Sequence, residues 1–199
     1  MFAQQRLDPR FQRGRTDATP VNQVRWATMA DVSRVSMAAD NLPLPRWAYV
    51  PGRGGAADRD TLAAVKALVP ARFDAGVPHD DPALRYGLAL NDAGFFWECH
   101  EILEAVWKAA PQGGRDRILL RACIQTANAN LKHAMGQPRA AARLFAEALA
   151  ELHECAVRGP TATRAFAGWF AAERLAIAIQ RRIAGESSDL PVPLLDHAT

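Results

Sequence analysis

The chain contains no run of about 18 apolar residues, so no membrane-spanning helix is expected. Its opening stretch, MFAQQRLDPRFQRGR, has no apolar centre, so no secretory signal is expected either. Cysteine is scarce: only Cys99, Cys123 and Cys155 occur, odd in number and far apart. That pattern argues against a disulfide framework and a cysteine zinc site, and fits reduced core thiols in the cytoplasm. No stretch alternates apolar and polar residues in the manner of a strand, so no sheet is expected. There is no glycine-rich phosphate loop, no nucleophile elbow and no Cys–His dyad, which removes the best-marked enzyme classes.

What is present is helical. At 199 residues, 49% hydrophobic and 23% charged, the chain has the length and composition of one ordinary globular domain. Its pI near 9.0 does not mark a nucleic-acid binder. Residues 1–36 hold six arginines against three aspartates, and the remaining 18 basic residues are matched by 18 acidic ones. The excess charge therefore belongs to the arm and not to a face of the fold, and a nucleic-acid partner is not expected.

Residues 1–40 read as a disordered basic arm, within which Met29 and Met37 are alternative starts. Residues 41–57 form a proline- and glycine-rich segment that Trp47 and Tyr49 are expected to dock onto the domain. A helical bundle is predicted over 58–185, and residues 186–199 read as an extended tail. Within the bundle, Asp81-Pro82 starts a helix, and Gly94 ends it before the next. Pro111 and Gly113-Gly114, then Gly136, then Gly159-Pro160, mark further breaks. The last helix is expected from about Thr161 to Ala184, with Phe166, Trp169, Phe170 and Ile177 on one face and Glu173 reaching its rim. The predicted fold is thus all-α: a compact bundle of about five to six helices with a proline-rich N-terminal arm.

The chemistry is concentrated in residues 91–107, NDAGFFWECHEILEAVW. On a helical wheel, Phe96, Cys99, Ile102, Leu103, Val106 and Trp107 form the apolar arc. Trp97, His100, Glu101, Glu104 and Lys108 form the opposite arc, with Glu98 at its edge. Glu101 and Glu104 repel one another at i,i+3, and Lys108 relieves Glu104 at i,i+4. The following helix carries a polar stripe of Arg117, Arg121, Gln125, Asn128 and Lys132. If that stripe faces the motif, Arg121 and Gln125 are the partners of Glu101 and Glu104. Metal spacing fails on sequence grounds. HEILE ends in glutamate where a zinc helix has histidine, and the Glu-x-x-His pairs of di-iron bundles are missing. One helix then offers at most His100 and Glu104 to one ion, and no metal is assigned.

These residues resemble a family of bacterial and archaeal helical domains, domain of unknown function family 309. The carrying elements are Tyr49-Val50-Pro51-Gly52-Arg53, then the motif from Asn91 through Trp97, Glu98, His100, Glu101 and Glu104 to Trp107, then Ile124-Gln125. The resemblance covers about residues 43–150. Cys99 departs from it, standing where a smaller residue such as alanine is expected. It implies a compact all-α bundle in the cytoplasm, and it implies no reaction, cofactor or substrate.

Two readings follow. In one, Trp97, His100, Glu101, Glu104, Trp107, Arg121 and Gln125 form a polar pocket for an unknown small molecule. Were the domain an enzyme, His100 would serve there as acid or base with a glutamate orienting it. In the other, the same residues are an inter-helix hydrogen-bond network in a structural module that docks a protein partner. A concave opening beside His100 separates the two.

Overall fold

The computed structural model describes residues 42–53, 55–159, 164–186 and 191–195. The basic arm before residue 42 lies outside the described residues. Seven helices are present among them and no strands: α1 (Arg59–Lys66), α2 (Pro82–Asp92), α3 (Phe96–Ala109), α4 (Arg115–Ala134), α5 (Pro138–Val157), α6 (Phe166–Trp169) and α7 (Ala172–Ile183). The chain is all-α, as its patterning predicts.

Local chemistry sets the helix starts. Asp81 accepts a hydrogen bond from the Leu84 amide at 2.8 Å, and Pro82 supplies the fixed φ of the first turn. Gly94, at φ +86°, closes α2 with the Phe95 amide bonded back to the Leu90 carbonyl at 2.8 Å. The α2–α3 contact is tight: a Cβ at Gly87 would lie 2.6 Å from Leu103 Cδ2.

α4 is the spine of the bundle, packed between α3 and α5. It buries Leu119, Leu120, Cys123 and Ala127 completely. Two polar side chains on it hold non-helical chain. Near its N-terminus, Asp116 is 4% exposed and accepts from the Val77 amide at 2.9 Å and the Ala167 amide at 2.7 Å. Near its C-terminus, Asn130 donates to Asn91 and to the Val192 carbonyl at 2.9 Å each, and accepts from the Val192 amide at 3.0 Å. Asp92 in turn accepts from the amides of Leu194 and Leu195. The described part of the tail, 191–195, is thereby bonded to the bundle, with Val192 and Leu194 buried.

The last predicted helix is broken. Residues 161–163 lie outside the described residues, and α6 is separated from α7 at Phe170, which is extended at ψ 131°. The cause is tertiary. Asp116 and the Val77 carbonyl capture the amides of Ala167 and Phe166, and an isolated bridge pairs Pro78 with Ala165. The Ile177 side chain is 51% exposed, so it does not share a buried face with Phe166 and Phe170. Leu175 and Ile179 form that face instead, and Glu173 is exposed.

The predicted core thiols are buried at all three positions and free of disulfides. Burial pushes each thiol above its usual range.

Asp116→Ala would leave two buried amides unpaired, one in the loop at Val77 and one at the start of α6. We expect a loss of about 3 kcal/mol by chemical denaturation, and a loss under about 1 kcal/mol would show that Asp116 is not an anchor.

Candidate functional site

α3 divides as its wheel predicts. Phe96, Cys99, Ile102, Leu103 and Val106 are buried against the bundle, and Trp97, His100, Glu101 and Glu104 are half-buried on the outer side. Trp107 departs from the apolar arc, being half-buried with the Arg117 guanidinium 3.9 Å above its ring. Arg117 reaches that place by donating to the Trp107 carbonyl at 2.6 Å and the Ala110 carbonyl at 3.0 Å, at the negative end of α3. The Trp107 Nε1 atom is buried without a partner.

Glu98 is the residue whose place the wheel understates. It is fully buried, not at an edge. One oxygen accepts from the Tyr49 amide at 2.7 Å, and the other is buried and unpaired. Burial pushes its carboxyl up to about 7, against the hydrogen bond from Tyr49, which lowers it. The signal was available, since Glu98 lies one turn before Ile102 and two before Val106 on one stripe. Above it, Tyr49 meets Trp97 edge to face at 4.9 Å, and Tyr86 donates its hydroxyl to the Pro43 carbonyl at 2.6 Å. Residues 43–49 are thus fastened to α2 and α3 through Tyr49 and Tyr86. Trp47 is 41% exposed and bonds within its own segment, to the Ala56 carbonyl at 2.8 Å.

The expected pairing of Glu101 and Glu104 with Arg121 and Gln125 does not occur. Glu101 binds Lys66 of α1 at 2.6 Å, and Glu104 binds Lys108 at 3.1 Å, the i,i+4 relief that the spacing predicts. Arg121 binds Glu151 at 2.5 Å and Gln125 donates to Glu147 at 2.8 Å, both on α5. The polar stripe of α4 is shared: Arg117 reaches α3, while Arg121 and Gln125 turn to α5. There, two glutamates four residues apart repeat at the spacing of Arg121 and Gln125.

The remaining cluster is compact. His100, Glu101 and Glu104 bring one ligating atom each to within 4.8 Å of one another. One helix supplies three donors here, where spacing alone allows two. His100 Nδ1 is buried and makes no hydrogen bond. Beside the cluster, Trp97 and Glu101 line a depression of about 380 Å³ together with Lys66, Arg59, Leu62 and Ala63. Trp97 also lines a cleft of about 800 Å³ beneath Arg46, Trp47 and Tyr49. Trp107 and Arg121 border a separate depression of about 230 Å³ with Arg117 and Arg158.

The fold and the motif thus define a helical domain in which one helix carries a half-buried polar face. Residues 84–144 match the model of a family described as Domain of unknown function (DUF309). The matched stretch covers α3 and α4 and lies within the span that the motif resemblance suggests, without the Tyr49–Arg53 element. Neither the curated proteins nor the solved structures gave a match. Among the described residues, no helix is long and apolar enough to cross a membrane.

The raised carboxyl of Glu98 makes stability depend on pH. An unfolded glutamate titrates near 4.5 and this one near 7, so between those values the native chain holds a proton that the unfolded chain has lost. The contribution is complete below the lower value and lost as pH rises through the upper one. Glu98→Gln should therefore be more stable than wild type near pH 8 by roughly 1–3 kcal/mol, and within about 1 kcal/mol of it near pH 4.5. Denaturation curves with parallel pH profiles for the two proteins would contradict this.

The corrected pairing is open to double-mutant cycles. Gln125→Ala with Glu147→Gln should couple by about 0.5–1.5 kcal/mol, whereas Gln125→Ala with Glu104→Gln should show none beyond error.

Proposed function

We propose that this domain is a binding module for a small polar ligand, held on the outer face of α3 by His100, Glu101 and Glu104. The supporting observation is the convergence of two carboxylates and one imidazole, whose Nδ1 is buried and unpaired. A network built only to fix helix register closes its polar groups on one another, since an unpaired buried group costs about 1–3 kcal/mol. Arg121 and Gln125 leave the ligand set in this reading, because α5 already satisfies them. Trp97 stays as the wall shared by the two neighbouring hollows. Trp107 belongs to the far end of α3, about 15 Å along the axis from Trp97.

The second reading, a non-catalytic structural or protein-interaction module, draws support from Glu101. Its ion pair with Lys66 joins α1 to α3, which is a structural task. A cytoplasmic location is part of this proposal, and it is supported by three buried thiols that fit a reducing compartment.

A thermal-shift screen of the chelator-treated protein against small polar compounds and divalent metal ions distinguishes the two. A ligand at about 100 times its Kd should stabilise the wild type by roughly 2.7 kcal/mol and Glu104→Gln by much less. If neither a compound nor a divalent metal ion shifts the wild type, or every shift survives Glu104→Gln, the binding reading fails in favour of the structural one.

A further inference from the structure

We infer that the His100, Glu101 and Glu104 face of α3 is a site for one divalent transition cation. This rests on the binding-module reading and names the ligand class. His100 and Glu104 are one helical turn apart, the spacing at which two side chains of a helix meet. Glu101 joins them, so that all three donors lie within 4.8 Å of each other. A tetrahedral ion bound at about 2.1 Å needs donors about 3.5 Å apart. The donors must close by roughly 1 Å, which torsions of the two glutamate side chains supply without moving the helix.

The charge distribution agrees. Both carboxylates already hold a cation, Lys66 on Glu101 and Lys108 on Glu104. Neither lysine is locked in place: their side chains are 35% and 64% exposed, so both ammonium groups can swing into water. The imidazole is the exception in the cluster. Its Nδ1 is removed from solvent and bonded to nothing, whereas the glutamates have partners. An ion coordinated by the ring would fix an imidazole whose Nδ1 no protein group holds.

The donor set selects the ion. One imidazole with two carboxylates suits zinc, manganese, iron(II) or cobalt(II), while calcium and magnesium favour all-oxygen sets. Three protein donors leave at least one coordination position for water or a ligand atom. Of the three donors, Glu101 also lines the depression that it shares with Trp97.

The test uses the full chain, free of any affinity tag and stripped with chelator, titrated with Zn²⁺ by calorimetry and with Co²⁺ by visible absorption. One ion per chain is expected, without the intense thiolate-to-metal band that capture by a cysteine would give. His100→Ala and Glu104→Gln should each weaken binding by about 100-fold or more, as loss of a direct ligand exceeds the effect of its supports. Lys66→Met should tighten it about two- to fivefold, the worth of a part-exposed ion pair with which the metal competes. His153→Ala, far from the cluster in sequence and exposed, should change nothing. Circular dichroism establishes that each variant is folded, and Lys66→Met keeps the test decisive should a motif substitution unfold the chain. The inference is overturned if wild type and Lys66→Met both fail to bind either ion, or if binding survives His100→Ala. Should polar organic compounds still shift the melting temperature in that event, the binding-module reading stands without the metal. If they do not, both fall.

Discussion

The architecture depends on two polar side chains buried on one helix. A bundle of amphipathic helices needs only apolar stripes to collapse, but collapse does not say where non-helical chain should lie. Asp116 and Asn130, at opposite ends of α4, answer that. Each sits among apolar neighbours, where an unpaired carboxylate or amide is costly, and each is satisfied by backbone from a distant part of the chain. Asp116 joins the approach to α2 to the start of α6, and the fit leaves no room for a side chain at Gly76, whose Cβ would stand 2.7 Å from the carboxylate. Asn130 holds Val192 and so brings the tail against α2 and α4. These bonds specify chain path more than they add stability, because burial has already consumed much of their gain.

With α4 fixed, α3 has little freedom. Its inner face is pressed onto α2 at Gly87 and onto α4, so its outer face must point away from the bundle core. That face is not left bare. α1 lays Lys66 across Glu101, and the segment around Tyr49 roofs Trp97 and Glu98. His100 and Glu104 fall between these covers.

The sequence made the helices legible because glycine, proline and aspartate punctuate nearly every boundary. It made the division of α3 into inner and outer arcs legible for the same reason: period 3.6 holds over fourteen residues from Phe96 to Ala109. What it left undecided were choices among partners. The stripe on α4 is visible, yet a wheel does not say which neighbour each residue faces, and Arg121 and Gln125 faced α5. The break at Phe170 was hidden because its cause, Asp116, lies over fifty residues earlier. Asn128 and Asn130 look alike in sequence, and only the tail at Val192, bonded to Asn130, tells them apart. Glu98 is the instructive case. Its stripe through Ile102 and Val106 marked it as buried, but its charge drew it to the polar arc. The raised pKa shows how the fold resolves that conflict, by favouring the neutral form.

This conflict bears on the site itself. A fully charged cluster at positions 98, 101 and 104 would place three carboxylates on successive turns of one helix. With Glu98 favouring its neutral form and enclosed, the outer face presents two carboxylates and one imidazole, of which the carboxylates are answered by lysines. The lysines differ in consequence. Lys108 belongs to α3 and moves with it, so its pairing with Glu104 says little about the rest of the fold. Lys66 belongs to α1, so whatever draws Glu101 away from it also loosens the contact between α1 and α3. Occupancy of the His100 face by a ligand that engages Glu101 would therefore be linked to the seating of α1 through a single carboxylate. By thermodynamic reciprocity, any ligand that takes Glu101 from Lys66 weakens the hold on α1, and any contact that secures α1 weakens the ligand.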